Sequence, residues 1–364
     1  MASILSPEKA RQRRSELLQY YRKMVEYAAG NGVDYVLIAG DLFDKRNVSA
    51  TAKRVFLEEI ENHPEIGFFY LKGNHDLTFE VENAPDNLYM FSEKWTVYEL
   101  SDTVCLTGAQ ILENAGELYD TLVLDNNKIN IVTLHGQIGE YNAKDKGEHI
   151  ALSSLKNRGI DYLALGHVHA LLNGKLDSRG IWCYPGCLQG RGFDECGEHG
   201  FVVIDIENRN LDYTFVKMNG RAIREEHLDV TGLDTVGIER LIEDRFFGNK
   251  DSEVHKGDVQ EAGQFQRTGQ NDVSQSMIRL VLEGSHEPET EIDTGYLERV
   301  FEDKFYLFRV KDHTTVHIDY RDYEAEVSLK GEFVRLVMAD ERLDEKRKSE
   351  IISLGLKAIA GEKL

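Results

Sequence analysis

A chain of 364 residues, 41% hydrophobic and 29% charged, is too long for one small core and has the make-up of a globular protein of two domains. Its formal net charge of −21 counts against a freestanding, high-affinity DNA binder and against adhesion to anionic membranes. No apolar run is long enough to span a bilayer, the N-terminus lacks a secretory core, and four cysteines make no disulfide framework at this size. The expectation is a cytoplasmic protein with no membrane partner.

In chain order, Ser6 and Pro7 open a helix predicted over 7–29, on which Leu17, Leu18, Tyr21, Met24, Val25 and Ala28 recur at helical spacing. Arg11, Arg13, Arg14, Arg22 and Lys23 are expected on its solvated outer side. Residues 35–39 read as a short buried strand that stops at Gly40 and delivers Asp41. A helix over 49–62 follows, then an apolar strand over 66–71 that ends in Gly73, Asn74, His75 and Asp76. Between 95 and 135 the segments WTVYEL, DTVCLTGAQ, YDTLVL and KINIVTLHG are predicted strands, and the last delivers His135 before Gly136. After a short helix over 150–157, the run 162–165 stops at Gly166 and presents His167 and His169. Alternate side chains of extended backbone point the same way, so both imidazoles can aim at one point beyond the strand. Three more strands reach about residue 218.

The composition shifts after 220. A strand-turn-helix begins the second domain, 221–325, and residues 248–275, poor in apolar side chains, read as a flexible insertion. A strand at 277–284, a helix at 292–303 and a strand or strand pair over 305–320 make this domain α+β. The tail, 326–364, reads as two amphipathic helices split near Asp340, suited to dock on the domain or on a partner. Cys183, Cys187, Cys196 and His199 match no compact zinc knuckle and are read as loop residues near a turn.

One polar residue after a strand is ordinary, but Asp41, Asn74, His135, His167 and His169 each follow one, where open α/β sheets bind ligands. A carboxylate able to bridge two cations, an amide oxygen and imidazoles suit Mn, Fe or Zn better than Ca or Mg alone. His75 is left free to act on a substrate.

The strings GDLFD, GNHD, His135-Gly136 and GHVH resemble the motif series of the calcineurin-like metallophosphoesterases, and with Tyr184-Pro185-Gly186 they look most like its SbcD-type DNA repair nucleases. The resemblance covers residues 8–220 strongly and 221–325 weakly. It implies a two-sheet α/β sandwich flanked by helices over 1–220, a smaller α+β capping domain and a helical C-terminal tail. It further implies two divalent metal ions, Mn above Fe or Zn. Asp41 bridges them, Asn74, His135 and His167 hold one, and His169 belongs to the other. His75 assists the leaving group, and Asp44 orients its loop. The implied activity is phosphodiester hydrolysis on DNA ends, with DNA, an SbcC-like coiled-coil ATPase and a second copy of the chain as partners. Two readings stand beside it: a small-molecule phosphoesterase on the same scaffold, and an impaired scaffold that binds DNA or the ATPase. The family also opens with a strand bearing Asp-x-His, and no Asp-x-His occurs in this sequence. A truncated start is the favoured explanation over a true loss. The first domain is therefore expected to lack its first strand and to hold one metal well and the other poorly.

Overall fold

In the computed structural model, which describes residues 5–43, 48–76, 79–111, 115–139, 149–248, 273–287, 290–317, 323 and 326–360, helix α1 (Pro7–Gly30) begins at its cap. The Ser6 hydroxyl accepts from the Lys9 amide at 3.2 Å, and Pro7 occupies the first turn, where no amide hydrogen is needed. The chain divides into two units, Met1–Gly220 and Arg221–Leu364.

The first unit is a mixed α/β fold. Strands β1 (Tyr35–Ala39), β2 (Gly67–Leu71) and β3 (Leu88–Met90) form a parallel sheet in that order. A larger sheet contains β4 (Thr96–Ser101), β5 (Val104–Gly108), β6 (Ile129–His135), β9 (Tyr162–Gly166), β10 (Leu172–Lys175) and β11 (Ile181–Tyr184), in the order β10-β11-β9-β6-β5-β4. The short strands β7 (Gln137–Ile138) and β8 (His149–Ile150) pair with each other, and β12 (Gly200–Glu207) and β13 (Asn210–Lys217) form an antiparallel ribbon.

Alternation along the strands builds three apolar layers. Phe68 and Tyr70 of β2 meet Val25 of α1 and Phe56 of α2 (Ala50–Asn62), whereas Phe69 and Leu71 pack with Leu106, Ile131 and Ala164 of the larger sheet. Strand β6, buried throughout, sends Ile129 and Ile131 to that inner layer and Val132 and Leu134 to the far side. There they join Tyr119 of α3 (Ala115–Asp120) and Leu155 of α4 (Leu152–Leu155). Each strand is therefore apolar on both faces, the reason it reads as a continuous hydrophobic run.

Two local expectations change. The segment YDTLVL is not a strand: Ala115–Asp120 is helical, and Tyr119 and Leu122 are buried while Val123 faces solvent. Spacing by three, rather than alternation, decides which of its apolar residues reach the core. Arg13 is not on the solvated side of α1 but buried, with its guanidinium on Glu16 at 2.8 Å and on the Gly190 carbonyl.

In the second unit β14 (Ile223–Asp229), α5 (Thr235–Phe247), β15 (Met277–Glu283), α6 (Thr294–Phe301) and β17 (Leu307–Asp312) alternate, with β16 (Ser285–His286) paired to β18 (Thr315–Val316). Strands β14, β15 and β17 are all parallel, an α/β arrangement in place of the α+β one expected, because each helix carries the chain back to start the next strand in the same direction. The insertion expected over 248–275 lies, from 249 to 272, outside the described residues. Two helices follow, α7 (Leu329–Met338) and α8 (Glu345–Ala360), joined by Val334, Val337, Ile352 and Leu356. Among the described residues no helix is long and apolar enough to cross a membrane.

The three-stranded and six-stranded sheets of the first unit touch at their carboxyl ends. A Cβ added to Gly166, the last residue of β9, would lie 1.6 Å from the Ala39 carbonyl oxygen at the end of β1. Because the obstacle is backbone, no side-chain rotation relieves it. Gly166→Ala is expected to lower stability by about 2 kcal/mol or more in a denaturant titration. A wild-type midpoint would show that the sheets separate freely there.

Candidate metal centre

The contact between sheet ends gathers side chains from four strands. Asp41 follows β1, Asn74 follows β2, His135 ends β6, and His167 follows β9. Ligand atoms of Asp41, His135 and His167 all lie within 4.8 Å of one another. The Asn74 amide reaches His135 Nε2 and both Asp41 carboxylate oxygens at 3.2 Å, with its nitrogen as the donor to them. Rotation of that amide would turn its oxygen toward a cation instead.

Backbone geometry at this point is unusual. Asp41 has φ +50° and His167 has φ +101°, conformations that side-chain-bearing residues seldom adopt and that cost about 1–3 kcal/mol each. They persist because the surroundings over-determine them. Asp76, 1% exposed, is one such restraint. Its carboxylate accepts from the Leu42 amide at 2.9 Å, the Gly73 amide at 2.6 Å and the Tyr70 hydroxyl at 2.5 Å. One buried side chain thus ties the loop after β1 to the loop after β2.

Protonation follows from the partners. His135 Nδ1 lies 2.8 Å from the Ala39 carbonyl oxygen, which can only accept, so Nδ1 carries a hydrogen and, in the neutral ring, Nε2 keeps the lone pair. That lone pair faces Asp41 Oδ2 at 3.3 Å. The Asn74 amide hydrogens serve both acceptors here, and a cation could take their place. Burial acts to raise the Asp41 carboxyl, but the His135 ring in its protonated form and the His75 backbone amide, 3.0 Å from Oδ1, outweigh it and hold the group below the ordinary carboxylate range. Burial, reinforced by the neighbouring His135, pushes His167 below the usual histidine range, which favours the neutral, ligating ring. His167 Nδ1 is buried without a hydrogen-bond partner, a deficit of about 1–3 kcal/mol that a cation would remove. The donors and the orphaned nitrogen fit a divalent metal ion.

The other sequence-derived residues lie beside this cluster. His75 is exposed, tied to it through its backbone amide on Asp41. His169 stands outside the group of three close ligand atoms; its Nδ1 meets Glu195 Oε1 at 2.6 Å. Asp44 lies outside the described residues. Cys183 is buried in β11, Cys187 Sγ is 3.5 Å from His199 Nδ1, and Cys196 is exposed with its thiol on the Phe193 carbonyl, so these cysteines do not converge.

Sequence reasoning missed Asp76, Arg191 and Glu195. Asp76 stands within GNHD, where an acid three residues after Gly73 is spaced to accept from that glycine's amide. Burial works to raise the Glu195 carboxyl, but the His169 ring and the Arg191 guanidinium outweigh it and hold the group at about 2. Asp76→Asn replaces an acceptor oxygen with a donor that faces amide hydrogens. It is expected to cost about 1–3 kcal/mol in thermal or chemical unfolding and to weaken Mn uptake. An unchanged unfolding midpoint would remove Asp76 as the tie between the loops.

Residues 13–171 match the model of the calcineurin-like phosphoesterase family. The chain is 26% identical to a protein of Bacillus subtilis (strain 168) called an uncharacterized metallophosphoesterase, YhaO. That match covers 62% of this chain, and the chain spans only 58% of the relative. Among solved structures it is similar to TT1561 of Thermus thermophilus, at 13% identity and a TM-score of 0.35, over 56% of this chain and 93% of the other. The matched stretch contains Asp41, Asn74, His75, His135, His167 and His169 and excludes Arg191 and Glu195. The match over residues 13–171 and the relative's name agree with the resemblance that the motifs carry to the calcineurin-like phosphoesterases.

Proposed function

We propose that this protein hydrolyses phosphodiesters at DNA ends, as the SbcD-type nuclease of a DNA repair assembly with an SbcC-like coiled-coil ATPase. The observation that carries the hydrolytic part is the convergence of Asp41, His135 and His167, with Asn74 beside them, at the ends of four strands. The DNA-end part is supported by the motif series GDLFD, GNHD and GHVH with the YPG string. Exposed apolar residues around α7 and α8, among them Leu329, Leu336 and Leu354, favour a protein partner there.

In this reading Asp41, Asn74, His135 and His167 would hold one cation, and His169, with Asp41, would serve a second. Mixed oxygen and nitrogen donors favour Mn, with Fe or Zn as alternatives. When bound, such a pair supplies a low-pKa water and offsets charge on the phosphate oxygens. The chain's own contribution is placement. Asp41 is held by the His75 amide, His135 is oriented by the Ala39 carbonyl, and Asp76 fixes both loops. His75, exposed beside the cluster, is the group to hand a proton to the leaving oxygen.

Purified protein with Mn should degrade linear duplex DNA from its ends, and Asp41→Ala should reduce the rate by at least about a thousandfold. Hydrolysis of small phosphodiesters with DNA left intact would replace this reading with the small-molecule enzyme. No hydrolysis of either, with DNA or the ATPase still bound, would favour the scaffold.

A further inference from the structure

We infer that Glu195 is a positioning residue that fixes the tautomer of His169 and so presents its Nε2 to a metal ion; this rests on the reading of His169 as a ligand given above. A carboxylate oxygen carries no hydrogen, so its 2.6 Å contact with His169 Nδ1 places the hydrogen on that nitrogen. In the neutral ring only Nε2 then has a lone pair. His135 is set in the same manner, with Nδ1 on the Ala39 carbonyl and Nε2 facing Asp41. Two rings of one site thus have an oxygen behind them, one from backbone and one from a side chain 8% exposed.

A plain Arg191–Glu195 ion pair explains less. Glu195 Oε1 lies 2.9 Å from Arg191 Nη2 and 3.2 Å from Nε, both longer than its contact with the imidazole. Arg191 Nη2 is also 3.2 Å from His169 Nδ1, since both share Oε1. The Arg191 amide holds the second oxygen at 2.6 Å. Arg191 therefore fixes the carboxylate on two sides and leaves one oxygen aimed at the ring. The anchor extends inward, because buried Arg13 of α1 donates to the carbonyl of Gly190, the preceding residue. Oxygen partners behind ligating histidines typically govern metal affinity by about 10–100-fold.

The test uses the full chain with Glu195→Ala, Glu195→Gln and His169→Ala, Mn titration calorimetry, and nitrogen-15 spectra of labelled histidines in metal-free protein. His169→Ala identifies the ring's signals and the binding step that depends on it. The wild-type ring should show hydrogen on Nδ1. Glu195→Ala should disturb that signature and weaken the same binding step by about 10–100-fold. Glu195→Gln, of nearly the same shape and able to accept with one oxygen, should fall between, and it carries the test if the alanine variant does not fold. If His169→Ala weakens Mn binding but a folded Glu195→Gln or Glu195→Ala leaves both affinity and spectrum unchanged, the role of Glu195 is overturned. If His169→Ala itself leaves Mn binding unchanged, the ligand reading falls and the inference falls with it.

Discussion

The Ala39 carbonyl is the point on which the site depends. It ends β1, it abuts Gly166 at the end of β9, and it accepts from His135 at the end of β6. One backbone oxygen thereby joins the smaller sheet to two neighbouring strands of the larger one. A side chain at residue 166 would force those ends apart, and the residues that follow each strand would no longer face one another. The positive φ at Asp41 and His167 is a consequence of this close approach, since the chain must turn sharply as it leaves each strand. Asp76 completes the arrangement by holding the loops after β1 and β2 with a single carboxylate.

The electrostatic logic is that of a site short of positive charge. Asp41, the lone pair of His135 and the unpartnered nitrogen of His167 are gathered in a chain of net charge −21. Acceptors brought together in a partly buried place repel unless a proton or cation lies among them. The rings are prepared for the cation from behind, His135 by a carbonyl and His169 by Glu195, so the nitrogens left without hydrogen are those available to ligate.

Residues close to strands were the most legible in the sequence. A buried strand apolar on both faces stands out as a continuous run, so Asp41 and His135 could be found from the runs they follow. His167 and His169 were harder. Their alternation suggested a shared target, yet the backbone at His167 is not extended, and the structure brings His167 into the cluster while Glu195 takes Nδ1 of His169. Glu195 and Arg191 had no legible signal, because they lie in a glycine-rich loop whose partners are fixed only by tertiary contact. The basic face of α1 misled for a related reason: Arg13 looks like its neighbours Arg11 and Arg14, and its burial against Glu16 and the Gly190 carbonyl is a tertiary matter. In the second unit the alternation of strand and helix was visible, but strand direction is a property of pairing and was misread as α+β.

The measurement that bears most directly on this account is the metal content of the protein after equilibration with Mn and removal of free ion. Each chain should retain at least one tightly held ion, because Asp41, Asn74, His135 and His167 converge on a place that lacks positive charge. A protein that retains none, while folded, would contradict it.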